Sequence, residues 1–211
     1  MATPDRASPR SASPIGRRTV WRVLRRFAFL VGLGLLAGLV AGAVAGGVGS
    51  RVAMRVVALL AGHERYGQLT DADAVVGRIT LGGTLFLPAA GTYLGVPGGL
   101  RYVAVRRWLP GAGIRKGLAF GGLLLLLFGS LIIDGDNPDF RRFGPAAASV
   151  GLFAALFVPY GLIAAAIVER LDRGGNRPPR SRVVALGGYA ALAVVGLLGL
   201  IRDLRALADI F

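Results

Sequence analysis

The 211-residue chain has no cysteine. Disulfides, thiol catalysis and cysteine-ligated metals are therefore excluded. It has one histidine, His63, so a catalytic zinc centre of the usual kind lacks its ligands. The stretch "HERYG" (63–67) opens like a zinc-protease helix but carries Gly67 where the second histidine would stand. Lysine is almost missing as well: of 25 basic residues only Lys116 is a lysine. With heavy use of Ala, Gly, Val and Leu, this bias suggests a GC-rich, bacterial genome, which is a codon argument and not a functional one. Acidic residues number only 11, leaving a net charge of +14. Such a balance suits nucleic acid or anionic lipid. No basic groove interleaved with aromatics is visible, so headgroup contact is expected and a nucleic-acid partner is not. The long apolar blocks hold no Asp, Glu, Lys, Arg or His in their interiors.

What is present is apolar sequence in membrane-sized pieces. Hydrophobic residues make up 54% of the chain and the mean hydropathy is +0.62. The apolar blocks approach the ~20 residues that cross a hydrocarbon core of about 30 Å. Five spans are expected: 27–50, 79–100, 117–133, 145–168 and 183–201. This predicts an all-α, polytopic transmembrane helical bundle. Pro88, Pro97 and Pro159 fall inside spans, where neighbouring helices can satisfy the freed carbonyls. Residues 52–61 are apolar but too short to cross alone, and either stand apart or continue the first helix. Residues 1–26 read as a disordered basic cytoplasmic tail, 27–201 as the transmembrane domain and 202–211 as a short C-terminal tail.

Arginine and lysine between spans set the orientation. The tail holds seven, and the loops after the second and fourth spans hold five each, among them Arg106, Lys116 and Arg170. The opposite side holds eight against these seventeen. The expected topology is N-terminus cytoplasmic, five crossings and C-terminus outside, in a bacterial cytoplasmic membrane.

The stretch "GLLAGLVAGAVAGGVGSR" (34–51) admits three readings. "GLGLLA" (32–37) formally fits a dinucleotide fingerprint, but no strand precedes it and no acidic residue follows at the required distance. A cleaved export signal has a basic lead and "AVA" at 43–45 in its favour. Its apolar run exceeds the usual roughly 7–15 residues. A packing helix fits best. Gly34, Gly38, Gly42, Gly46 and Ser50 recur every fourth residue, and Ala37, Ala41, Ala45 and Gly49 form a second row beside them. Such rows leave a face of nearly bare backbone, which lets another helix approach closely. The partner helix lies either in this chain or in a second copy.

The polar motifs lie near span ends. Arg51 and Arg55 stand one helical turn apart and are expected at the outer interface, either snorkelling to phosphates or pairing with an outer acidic loop. That loop is "DGDNPDFRRFGP" (134–145), with Asp134, Asp136 and Asp139. Asn137, Pro138 and Asp139 also read as the cap, first position and first-turn acid of a short helix. A calcium loop is disfavoured, because Pro138 occupies a position that needs an oxygen ligand. "GAGIRKG" (111–117) resembles a phosphate loop in composition only. "LRYVAVRRWLP" (100–110) reads as an interfacial helix end with Tyr102, Trp108 and arginines anchored at headgroups. "DRGGNRPPRSR" (172–182) reads as a flexible basic loop.

With "GSRVAMRVVALLAG" and "DGDNPDFRRFGP" in view, the chain resembles small polytopic membrane proteins of high-GC bacteria, a group without an assigned activity. The resemblance covers roughly residues 27–170. It implies one architecture for the two polar segments and carries no catalytic residues. A non-enzymatic scaffold or subunit of a membrane complex is the leading expectation, with lipid, a second copy or another membrane protein as partner. A transporter or channel for a small solute or lipid is the alternative, since proline-broken helices serve such proteins. An intramembrane enzyme would need a base or metal ligand to pair with Ser130, Tyr160 or Tyr189, and none stands out. No cofactor and no metal site are expected.

Overall fold

The computed structural model describes residues 15–61, 81–132, 146–172, 179 and 181–210. Every element among them is helical. Helix α1 (Ile15–Ala41) passes without a break into a π-helical segment (Gly42–Gly49) and then α2 (Ser50–Ala61). Residues 52–61 therefore continue the first helix. Next come α3 (Leu81–Val105) and α4 (Ile114–Ile132). Helix α5 (Ala146–Ala155) and α6 (Phe157–Leu171) form one rod interrupted at Leu156. Helix α7 (Arg182–Ile210) ends the fold.

Four segments are long and apolar enough to cross a membrane: Thr19–Leu60, Ile114–Leu131, Ala147–Leu171 and Arg182–Ala208. The fifth rod, α3, has 25 residues and so the length to cross. Its glycines, prolines and Arg101 dilute its hydropathy below that of the others. The result is the expected all-α membrane bundle, with one of five rods less apolar than the rest.

Two boundaries differ from the sequence reading. Residues 15–26 are helical and belong to α1 rather than to a disordered tail. Arginine is a good helix former, and "GRRTVWRVLRRF" contains neither proline nor an internal glycine to stop the helix. At the other end, 202–210 extend α7 instead of forming a tail. Leu204 and Leu207 continue the helical apolar spacing past Ile201.

The rods pack neighbour to neighbour in the order α3, α1, α6, α4, α7. The core lies where α1, α3, α4 and α6 converge: Leu33, Ala37, Ala41, Tyr102, Phe120 and Ala164 are among its buried residues. Leu35, Leu36, Leu39 and Val44 point outward. Small residues inside and bulky ones outside are what a bilayer allows, because lipid tails solvate leucine as well as a core does. Proline is accommodated within α3, where the Thr92 hydroxyl donates to the Pro88 carbonyl at 2.6 Å. The turn from α3 to α4 uses Gly111 and Gly113 with φ of +81° and +56°, which side-chain-bearing residues rarely adopt.

Candidate functional site

The small-residue face of the first helix packs inside the chain. Gly34 lies against Gly99 and Leu100 of α3, Gly38 against Gly95 and Val96, and Gly42 against Gly91 and Gly95. A Cβ on Gly38 would meet the Gly95 oxygen at 2.7 Å. Gly46 faces Gly91, and Gly47 faces Pro88. The partner row Gly91, Gly95, Gly99 repeats every fourth residue too, so two bare ridges meet backbone to backbone. Ser50 ends the face without touching α3 through its hydroxyl, which donates to Gly46 and Gly47 carbonyls. The second row is buried in the core, with Ala37 and Ala41 fully inaccessible and Gly49 against Leu156. A similar seam joins α4 to α6 through Gly117, Gly121 and Gly161.

One end of the bundle carries an ionic clasp. Asp172, at the C-cap of α6, accepts two hydrogen bonds from Arg26 Nη2 of α1, at 2.7 and 2.8 Å. Arg106, one residue past α3, donates to the same carboxylate. Arg106 Nη1 also stands 3.9 Å from Glu169 Oε1. Glu169 in turn accepts from Lys116 Nζ of α4 at 3.1 Å and from the Tyr102 hydroxyl of α3 at 3.0 Å. Four helices are thus tied through two carboxylates one helical turn apart on α6. Arg106, Lys116 and Asp172 are all buried. Burial alone would raise the Asp172 pKa. The hydrogen bonds from Arg106 and Arg26 outweigh it and hold the carboxyl below its ordinary range. Two carboxylates surrounded by three cations form a closed charge set, which suits holding helices together better than acid–base chemistry.

The clasp corrects the headgroup-anchor reading of 100–110. Tyr102 is fully buried with its ring edge on Phe120, centroids 4.9 Å apart, and Arg106 points inward to the carboxylates. Trp108 is not free at the surface either. Its indole N–H donates to the Val184 carbonyl at 3.3 Å and ties the turn to α7. Arg101 instead lies over the Phe128 ring of α4, 4.9 Å from its centroid.

At the opposite end, Arg51 is half-buried and Arg55 exposed. Arg51 Nε is buried without a hydrogen-bond partner among the described residues. Asp134, Asp136 and Asp139 lie outside the described residues, as does His63. Sequence reasoning missed a further acid. Asp203 is in the middle of the last turns of α7, only 6% exposed, against Gly129 of α4. The apolar spans are therefore not free of ionisable groups once α7 is followed to its end. No group of three or more metal-ligating side chains occurs among the described residues.

The clasp residues had one visible signal: "ERLD" (169–172) holds the only acidic residues on the arginine-rich side of the expected spans after residue 26. No known protein family, curated protein or solved structure matches the chain.

Proposed function

We propose that the chain is a non-enzymatic scaffold or subunit of a complex in a bacterial cytoplasmic membrane, with its N-terminus and the clasp on the cytoplasmic side. One observation supports this reading above others. The helices spend their small-residue faces and the charges of the clasp on one another, while α7 packs on α4 along one side and turns the rest outward. Val183, Leu186, Leu197 and Leu198 on α7 are all more than half exposed. A membrane helix held on one side presents its other side to lipid or to another membrane helix. Arg17, Arg18, Arg22 and Arg25, on the turns before the clasp, would meet anionic headgroups at the cytoplasmic surface.

Transport of a small solute or lipid is the second reading. It draws on the meeting of the π-helical segment with the proline-bearing stretch of α3, at Gly47 and Pro88. π segments and broken helices recur at functional sites. Native mass spectrometry of the protein released from lipid nanodiscs separates the two. A defined oligomer, or a stoichiometric second protein, is the expected result. A monomer retaining one small molecule or lipid would overturn the scaffold reading in favour of transport.

A further inference from the structure

Asp203 is the buried acid in the described structure that no cation holds. Its Oδ1 is buried and has no hydrogen-bond partner among the described residues. The polar groups beside it are the Ser130 backbone of α4 and Arg202 on α7 itself. Gly129 makes the room: a Cβ there would lie 2.7 Å from Oδ2 and 2.9 Å from Oδ1. The carboxyl is pressed flat on the backbone of α4. Two elements pack against this part of α7, namely α4 and α5. Residues 117–132 of α4 and 146–155 of α5 contain no titratable side chain. Among the described residues, the charged groups nearby are thus Arg202 and Arg205 of α7 itself, both exposed.

Depth makes this costly. Gly129 lies thirteen residues beyond Lys116 of the clasp, about 20 Å along the helix at 1.5 Å per residue. With the clasp at one interface, Asp203 stands toward the far side of a hydrocarbon core of about 30 Å, and it is only 6% exposed there. An ionised carboxylate there would leave the buried Oδ1 without a donor and, among the described residues, would have only the exposed Arg202 and Arg205 as nearby charges, a state that proteins avoid by pairing the charge or neutralising it. A metal ion would need several oxygen ligands, which Gly129, Ser130 and the flanking leucines do not supply.

The geometry points to Asp203 as a proton-binding site in the seam between α4 and α7, seated as the neutral acid. The proton on the carboxyl removes the charge from an otherwise apolar seam. Its loss would put a bare carboxylate against Gly129, one turn beyond the contact of Gly199 with Leu126 on which α7 rests. Seating of α7 therefore depends on that proton, a property beyond the scaffold reading and independent of it.

Infrared difference spectroscopy on the full chain in lipid tests this. At neutral pH, wild type minus Asp203→Asn should show the carbonyl stretch of a neutral carboxylic acid, and Gly129→Ala should shift that band. Hydrogen exchange in α7, corrected for intrinsic rate, should accelerate as pH rises in wild type and stay flat in Asp203→Asn. If Asp203→Asn does not fold, the Gly129→Ala shift and isotope labelling of aspartate assign the band in folded protein. Carboxylate bands alone at neutral pH, with α7 exchange independent of pH, would overturn the proposal.

Discussion

A Cβ placed on Gly91 would lie 2.6 Å from the carbonyl oxygen of Gly42. The two residues sit on different rods, the first on α3 and the second at the start of the π-helical segment. Their backbones touch because neither carries a side chain. In lipid, where burying leucine gains little, such contact lets long stretches of two helices add many small dispersion terms.

The seam between α4 and α6 should be equally intolerant of bulk. A Cβ on Gly161 would meet Gly121 Cα at 2.8 Å, whereas Gly122 has open space around it. Gly161→Leu is expected to abolish folded protein. Gly122→Ala should leave it unchanged or stabilise it by about 0.5–1 kcal/mol, since alanine favours helix. Thermal unfolding in detergent, followed by size exclusion, reads both.

Removing the acceptor at the centre of the clasp should be severe. Asp172→Asn leaves the buried Arg106 guanidinium without its full counter-charge, a change that typically costs about 3–5 kcal/mol. The effect has a sign in pH. Asp172 is held below its ordinary value of 3.8, so its stabilisation is fully present above that value and lost as pH falls through the lower, folded one. Melting curves of wild type and Asp172→Asn should therefore differ at neutral pH, begin to approach each other below about pH 4 and meet only below the folded value. A gap that persists in acid would mean that the side chain acts by shape rather than charge.

Tyr102→Phe keeps the edge contact with Phe120 and loses a single donor to Glu169, which still accepts from Lys116. The expected loss is about 1 kcal/mol. Denaturation in mixed detergent measures it, and a loss several times larger would show the clasp to be cooperative.

Topology follows from the arginine count. A reporter active only in the cytoplasm should work when fused before residue 15 and fail after Phe211, because the proposed five crossings would put the two ends on opposite sides. Activity at both ends would mean an even number of crossings, with α3 the rod to doubt first.

The first ridge of the glycine seam was legible because seventeen uncharged residues carry it at an unbroken period of four. Its partner was not, since Pro88, Thr92 and Pro97 obscure Gly91, Gly95 and Gly99 in a segment of lower hydropathy. The sequence also left open whether the partner was this chain, as a ridge has no address. The acids of the clasp were visible in "ERLD", but their partners were not, for another reason. Arg26 and Asp172 are 146 residues apart, and nothing in either stretch says that their span ends share a corner of the bundle. Asp203 was hidden by a boundary: hydropathy falls at Arg202, although the helical spacing runs on to Leu207.

The central claim is that the glycine face of the first helix is used up inside the chain. The native mass and folded yield of Gly42→Leu test it most directly, with Leu39→Ala, an outward residue, as the control. The account predicts that Gly42→Leu loses folded protein, that whatever survives keeps the wild-type oligomeric state, and that Leu39→Ala changes neither. A well-folded Gly42→Leu protein whose oligomer has fallen apart would contradict it, because the face would then belong between copies.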